Sequence, residues 1–462
     1  MNEKIELSGE QKLALTLPTT GAVLIKGGAG SGKTLVSVKR AECLVEEHPD
    51  MFRATNVAIF TYTKELVSAI GSMVNRPDIE VHGLDQWVFR FLGLGPNDFI
   101  NDKELASYRA QAAQEILGAH RAAKAIARKN DDFYAAEISW LKGRRISSLV
   151  QYKNTRRTGR GTEDRVTQAD RELLWKLFEC YNTKLARNGI RDWDDRILDA
   201  LEIVEKPGFR RPFSHIVIDE AQDFSFSRIQ LLKGLVSETT NSITVVADTA
   251  QQIYQSGFSW SDLGINVKGA RSIEFKRNYR NTKQISEAAY SLMNHEGDRT
   301  DFTEMIPSVR EGALPVVVKG ADYAVLSKLV NRIKAYGDYA NTVVAVPTRK
   351  LVYDYERKLE DAGIPVSLST RKSTNHHIGT PCVSVMTYHS LKGLQYKHVY
   401  LMELSQRYFP PVNADPDESS KARKLVYVAM TRACDDLTMF PGSQPSPFLE
   451  EIDSVLIEIK EA

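Results

Sequence analysis

Residues 22–45 read AVLIKGGAGSGKTLVSVKRAECLV, and the rest of the chain is organised around them. Ala22–Lys26 is a short apolar run flanked by Gly21 and Gly27, the composition of a buried strand. Gly27–Thr34, GGAGSGKT, fits the phosphate-binding pattern G-x-x-x-x-G-K-[ST]. Val36, Val38, Ala41, Leu44 and Val45 follow at helical spacing, and Pro49 closes the segment. The order has a physical reason. Glycines such as Gly30 and Gly32, on either side of Ser31, let backbone N–H groups turn inward on a phosphate. The helix that starts there presents its positive end to the same anion. Lys33 supplies a point charge to the outer phosphates, and the Thr34 hydroxyl is suited to ligate Mg²⁺. The stretch predicts a nucleoside triphosphate site, without saying what the energy is used for.

A chain of 462 residues exceeds one compact core, so two or more domains are expected. No apolar run is long enough to span a bilayer, and the N-terminus MNEKIELSGEQ lacks the apolar core of a signal peptide. A net charge of +2 means that any nucleic-acid surface must be a local patch. Cys43, Cys180, Cys382 and Cys434 lie far apart with no C-x-x-C pair, which argues against zinc and iron–sulfur sites. Reduced thiols fit a cytoplasmic protein without membrane association.

Further along, Val217-Ile218 and the residues before it form an apolar run that delivers Asp219-Glu220 in DEAQD. Two acids at a strand end are the second half of a phosphate-loop ATPase site. The first holds Mg²⁺ and the second positions and deprotonates the attacking water. Ile243–Ala247 reads as another strand, followed by DTAQQIY, where Gln251 suits a sensor of the γ-phosphate. Asn56–Thr61 is a strand ending at Tyr62-Thr63-Lys64, and Ile79–Val81 leads into His82. The C-terminal ends of such strands are where ligands sit in open α/β sheets.

Between these strands the composition changes. Glu104–Lys129 reads as helix, as does Asp170–Arg187. Leu141–Thr162 carries Lys142, Arg144, Arg145, Lys153, Arg156, Arg157 and Arg160 with no acid. Such a run is either an electrostatic footprint for phosphate or a solvated basic loop, and both readings stand. The second half returns to α/β character without a second phosphate loop. Strands are expected at Thr342–Val346, Val383–Met386, His398–Met402 and Leu437–Phe440, with Tyr427–Ala433 on a helix.

Nine features occur in series: Gln11, GGAGSGKT (27–34), FTYT (60–63), VHGL (81–84), VIDEAQDFS (217–225), VVADTAQQIY (245–254), KRNYRNT (276–282), TYHSLKGLQY (387–396) and YVAMTRA (427–433). In this order the chain resembles the UvrD/Rep/PcrA-like superfamily 1A DNA helicases, over nearly its whole length. The resemblance implies an α/β fold of two RecA-like lobes, parallel sheets flanked by helices, with a helical 1B insertion in the first. The expected boundaries are lobe 1A at 1–92 and 207–272, insertion 1B at 93–206 and lobe 2A at 273–462.

It also implies roles. Gln11 would contact adenine, helped by an amide that both donates and accepts. Lys33 and Thr34 would meet the phosphates and Mg²⁺, Asp219 the metal, and Glu220 would be the base. Gln251 would sense the γ-phosphate and Tyr279 would stack on the base. Arg280 and Arg432 would reach in from the second lobe as arginine fingers, making ATP hydrolysis a property of the cleft between the lobes. Single-stranded DNA would touch Thr61, Tyr62, His82, Tyr254, Phe258, Trp260, Thr387 and His389, aromatics stacking on bases without reading sequence. Arg156, Arg157 and Arg160 would add phosphate contacts.

Three departures stand out. Leu35 takes the place of an arginine that sandwiches adenine in relatives. Gln395 replaces a glutamate expected to meet the ribose. Only Ser367–Pro381 separates Val366 from Cys382, where relatives carry a 2B subdomain; so few residues cannot build one. The leading expectation is an ATP-driven helicase moving 3′→5′ on single-stranded or tailed duplex DNA. The alternative is a DNA-stimulated ATPase that senses or loads DNA for a partner nuclease, with an antiviral defence system as one setting.

Overall fold

The computed structural model describes residues 7–28, 30–47, 56–95, 98, 100–118, 126–155, 166–248, 260–263, 265, 271–295, 306, 308–368, 381–412, 414 and 416–462. Two compact units emerge. One comprises residues 1–26 and 33–275, the other 27–32 and 276–462.

The first unit is built on a six-stranded sheet of β1 (Ala22–Gly27), β2 (Val57–Thr61), β3 (Ile79–Gly83), β4 (His215–Ile218), β5 (Ser242–Asp248) and β6 (Ser272–Phe275), in the order β3-β2-β4-β5-β1-β6. The pairs β2–β3, β2–β4 and β4–β5 are parallel. Strands covered on both faces read as unbroken apolar runs, and β2, β4 and β5 are buried at every position. β5 lies between β1 and β4. That spacing places a third strand end, Asp248, between the phosphate loop and the acid pair.

Helices Asp102–Leu117, Asp131–Gly143, Leu149–Asn154 and Gln168–Arg187 pack around a core cluster of their own within this unit. Asn101, Asn130, Ser148 and Thr167 cap their N-termini through side-chain oxygens, as their sequence positions favour. Leu105, Leu141, Tyr152, Leu174, Leu177 and Tyr181 supply the core. The long helix expected over Glu104–Lys129 ends at Leu117, and only the short turn Ile126–Arg128 follows among the described residues.

Part of the basic run is neither a phosphate footprint nor a solvated loop. Lys142 is not a surface charge: its side chain is 2% exposed, and Nζ lies 2.6 Å from Asp192 Oδ2 and 2.7 Å from Asp195 Oδ1. Burial holds the Asp195 carboxyl above its usual range, reinforced by the Asp192 charge. At Asp192 burial acts the same way, but Lys142 outweighs it and the group titrates low. Arg145 pairs with Glu205, Lys153 with Glu172, and the Arg144 guanidinium lies over the Trp140 ring. Charge counting along the chain cannot see partners that arrive from 50 residues away. Replacing Lys142 with Met is expected to destabilise this part by about 3–5 kcal/mol, because two buried carboxylates lose their shared cation. Urea melting followed by tryptophan fluorescence reads it; an unchanged midpoint would mean the triad holds nothing.

The second unit is a seven-stranded, all-parallel sheet of β7 (Val316–Lys319), β8 (Thr342–Val346), β9 (Val366–Leu368), β10 (Val383–Thr387), β11 (Tyr396–Leu401), β12 (Ala433–Met439) and β13 (Glu458–Glu461), in the order β13-β7-β12-β11-β8-β10-β9. Helices Lys283–Met293 and Pro416–Met430 pack on one face; Asp322–Tyr336 and Arg349–Asp361 contribute to the other cluster. YVAMTRA is not helical throughout, as the sequence suggests. The helix stops at Met430, and Ala433 already pairs with Tyr396 as the start of β12. Of the short segment after Val366, β9 ends at Leu368 and residues 369–380 lie outside the described residues. Among the described residues no helix is long and apolar enough to cross a membrane.

Candidate nucleotide-hydrolysis site

β1 ends in the glycine-rich loop, where Gly30 (φ 77°) and Gly32 (φ 83°) occupy left-handed backbone that a side chain would strain. Ser31 is buried, and its Oγ donates to the Gly28 carbonyl at 2.9 Å. Lys33 opens the helix Lys33–Glu47, so Thr34 and Ser37, three residues apart, share a face. That face looks at the end of β4. Thr34 Oγ1 donates to Asp219 Oδ2 at 2.9 Å and Ser37 Oγ to Asp219 Oδ1 at 3.0 Å. Lys33 Nζ lies 3.4 Å from Asp248 Oδ2 at the end of β5, and both side chains are nearly buried.

Asp219 is completely buried. Burial, and then the Glu220 charge, push its carboxyl up to about 7, while the Thr34 and Ser37 hydroxyls and Lys33 act the other way. A carboxylate held with a hydroxyl oxygen beside it is an all-oxygen donor set of the kind a hard divalent cation completes. The residues present therefore fit Mg²⁺.

Glu220 follows in left-handed backbone (φ 52°, ψ 43°), a conformation that costs a non-glycine residue on the order of 1–3 kcal/mol and that clusters at working sites. Gln222 fixes it: its Nε2 donates to Glu220 Oε2 while its Oε1 accepts the Asp248 N–H at 3.0 Å. The amide thus ties the end of β4 to the end of β5. Ser37, Gln222 and Asp248 join the site only through the fold, beyond the residues the sequence points to. The spacing of Ser37 after Thr34 was the available signal; nothing local marks Gln222.

Gln11 is buried in the capping box of helix Gly9–Leu15, its Oε1 accepting the Ser8 N–H at 2.9 Å. One lone pair of the expected adenine contact is therefore already engaged. Leu35 is half-buried on the helix after the loop. Tyr62 is 49% exposed, edge-on to Phe224, whereas Thr61 is wholly buried and does not present its hydroxyl at the surface. The expected side-chain DNA contact of Thr61 does not fit this burial, which comes from β2 being covered on both faces. Both ring nitrogens of His82 are engaged, Nε2 with Glu80 at 2.7 Å and Nδ1 with Arg90 at 3.2 Å. Arg156, Arg157, Arg160, Gln251, Tyr254 and Phe258 lie outside the described residues, and of Trp260 only the backbone is described.

In the second unit Tyr279 is 42% exposed, and Arg280 Nε donates to Gln395 Oε1 at 3.2 Å. Arg432 is 5% exposed, its Nε bonding the Val428 carbonyl at 3.0 Å. Thr387 Oγ1 accepts the Ser390 N–H, and His389 is exposed beside it.

A phosphate loop whose Lys and Thr meet strand-end acids, on parallel α/β lobes of RecA-like type, defines an ATP hydrolase. Comparison with known proteins gives the family. The UvrD/REP helicase N-terminal domain matches residues 7–263, and the UvrD-like helicase C-terminal domain matches residues 354–443. The chain belongs to the UvrD/REP helicase family. It is 22% identical to a probable DNA helicase of Mycoplasma pneumoniae over 99% of this chain and 88% of that protein. It is 25% identical to the ATP-dependent DNA helicase PcrA of Staphylococcus epidermidis over 65% of this chain, and the match spans 41% of PcrA's length. A solved C-terminal domain of a possible DNA helicase from Lactobacillus plantarum WCFS1 is 20% identical, covering 39% of this chain and 98% of its own, with a TM-score of 0.30.

Proposed function

We propose that this chain is an ATP-dependent DNA motor that moves 3′→5′ on single-stranded DNA and separates duplex ahead of it. The observation that supports it most is the bond set around Asp219 and Glu220, within a chain of the UvrD/REP family. Asp219 and Thr34 would hold Mg²⁺, which when bound supplies positive charge to the phosphate oxygens. Lys33 neutralises the outer phosphates. Glu220, oriented by Gln222, takes the proton of the attacking water. Gln251 senses the γ-phosphate, and Arg280 and Arg432 stabilise charge on the transferring group. Gln11, Leu35, Tyr279 and Gln395 surround the nucleoside. DNA lies on Tyr62, His82, Tyr254, Phe258, Trp260, Thr387 and His389, with Arg156, Arg157 and Arg160 on its phosphates.

Strand displacement from duplexes with 3′ or 5′ tails tests this reading. Displacement of the 3′-tailed substrate alone, dependent on ATP, is the expected result. The short segment between Val366 and Cys382 favours a second reading, a DNA-stimulated ATPase serving a nuclease partner. Strong stimulation by single strands without displacement of either substrate would select it. Absence of any stimulation by DNA would reject both.

A further inference from the structure

Arg280 and Arg432 are 152 residues apart in sequence, yet the second unit ties their backbones together through two side chains with no assigned role. The first is Asn281, completely buried. Its Nδ2 donates to the carbonyl of Thr431 at 3.0 Å and to that of Ala433 at 2.5 Å, the two residues that flank Arg432. An amide nitrogen has two hydrogens, and both are used on this one turn. Its Oδ1 accepts from Asn278 Nδ2 at 2.8 Å. Asn278 Oδ1 in turn receives the N–H groups of Arg280 at 2.9 Å and Asn281 at 3.1 Å. The loop that carries Arg280 and the turn that carries Arg432 thus share one hydrogen-bonded knot.

The second side chain is Arg310. Its Nη2 donates to the carbonyl of Arg280 at 2.6 Å and to that of Cys434 at 2.5 Å, while Nη1 pairs with Asp435. A planar guanidinium can span two carbonyls in fixed geometry, which a lysine cannot. Arg310 is itself held to the same loop, since its carbonyl accepts the Lys283 N–H at 2.7 Å. The two braces take different carbonyls: Asn281 grips those of the residues before and after Arg432, and Arg310 grips those of Arg280 and Cys434. The turn needs such support. It is where helix Pro416–Met430 gives way to β12, so its carbonyls lack the regular helical partners.

We infer that Asn281 and Arg310 are positioning residues that lock Arg280 and Arg432 into a single unit, so that both guanidinium groups arrive at the transferring phosphoryl group together. This rests on the catalytic reading of the two arginines. A guanidinium stabilises the transition state only where charge develops, and a displacement of 1 Å in a reacting constellation costs on the order of 100-fold in rate. Neither brace touches nucleotide in this reading. Their loss should therefore appear in kcat and leave ground-state binding alone.

The test is steady-state and single-turnover ATPase kinetics of Asn281→Asp, which keeps the shape and removes both donors, and of Arg310→Ala. Each is made in the wild-type background and in an Arg280→Ala/Arg432→Ala background. The inference expects kcat to fall about 10- to 100-fold with each brace variant, with KM for ATP and affinity for single-stranded DNA within about twofold. In the background without the two arginines the same changes should cost less than about threefold, the non-additivity of groups acting through one another. Arg310→Lys should recover only part of the loss. Equal losses in both backgrounds, a rise in KM in place of a fall in kcat, or full kcat in Arg310→Ala would overturn the inference. Should Asn281→Asp fail to fold, Arg310→Ala decides alone, because that side chain is 45% exposed. Wild-type turnover by Arg280→Ala/Arg432→Ala would refute the catalytic reading itself. That result is seen before any brace variant is added, and it removes the inference with it.

Discussion

Lys33→Ala should lower DNA-stimulated ATP hydrolysis by about three orders of magnitude or more, the scale of losing a charged group aimed at a transferring phosphoryl. Lys33 is 7% exposed at the first position of its helix, so solvent does little to screen it. Its Nζ rests 3.4 Å from Asp248, with Asp219 held nearby by Thr34 and Ser37. Without the lysine, a triphosphate would meet Asp248 with the cation 3.4 Å from it removed. Affinity for ATP and turnover should both fall. Phosphate release with saturating single-stranded DNA, together with binding of a fluorescent ATP analogue, measures the two effects. Melting within a few degrees of wild type would show that the loss is local. Turnover near the wild-type rate would remove Lys33 from the site.

The lobes and the ends of their strands were legible because buried parallel strands announce themselves. VAIFT, HIVI and ITVVA are apolar runs stopped by polar residues, and each stop falls at a place where ligands gather. The phosphate loop was legible for a related reason: its glycines, lysine and threonine act through position in a single turn. Residues whose role depends on a partner from another strand were not. Gln222 looks like one letter of DEAQD, yet it joins Glu220 to Asp248, 26 residues on from itself. Asn281 looks like the end of a polar loop, yet it holds a turn 150 residues away.

A misread helix end and a charge run with two open readings share one physical cause, tertiary bonds overriding local preference. The segment YVAMTRA has the composition of a helix, but Asn281 claims the carbonyls of Thr431 and Ala433, and β12 begins at once. The run from Lys142 to Lys153 has the charge of a nucleic-acid patch, but acids from Asp192 to Glu205 and from Glu172 fold back onto it. His82 shows a subtler limit. Its place after a strand is that of a ligand contact, and the fold supplies both its nitrogens with neighbours before any DNA arrives.

Glu220→Gln should separate binding from chemistry, which Lys33→Ala cannot do. The residue sits in left-handed backbone at the end of β4, and this costs energy that the fold recovers elsewhere. The bond from Gln222 Nε2 to Glu220 Oε2 and the grip of Gln222 on the Asp248 N–H hold the carboxyl in one place. A glutamine has the same shape, and its amide oxygen can still accept from Gln222, so the backbone and the bond between strand ends should survive. What disappears is a group able to take a proton from water, a contribution of about 10²–10⁴ in rate. The variant should therefore bind ATP with an affinity within a few-fold of wild type while single-turnover hydrolysis falls by about 10² or more. It should also retain single-stranded DNA, since the DNA residues are untouched. Loss of binding in parallel with hydrolysis would mean that Glu220 shapes the pocket and does not act on water. Hydrolysis at the wild-type rate would move the base elsewhere, with Asp223, three residues on in DEAQD, the next candidate to replace.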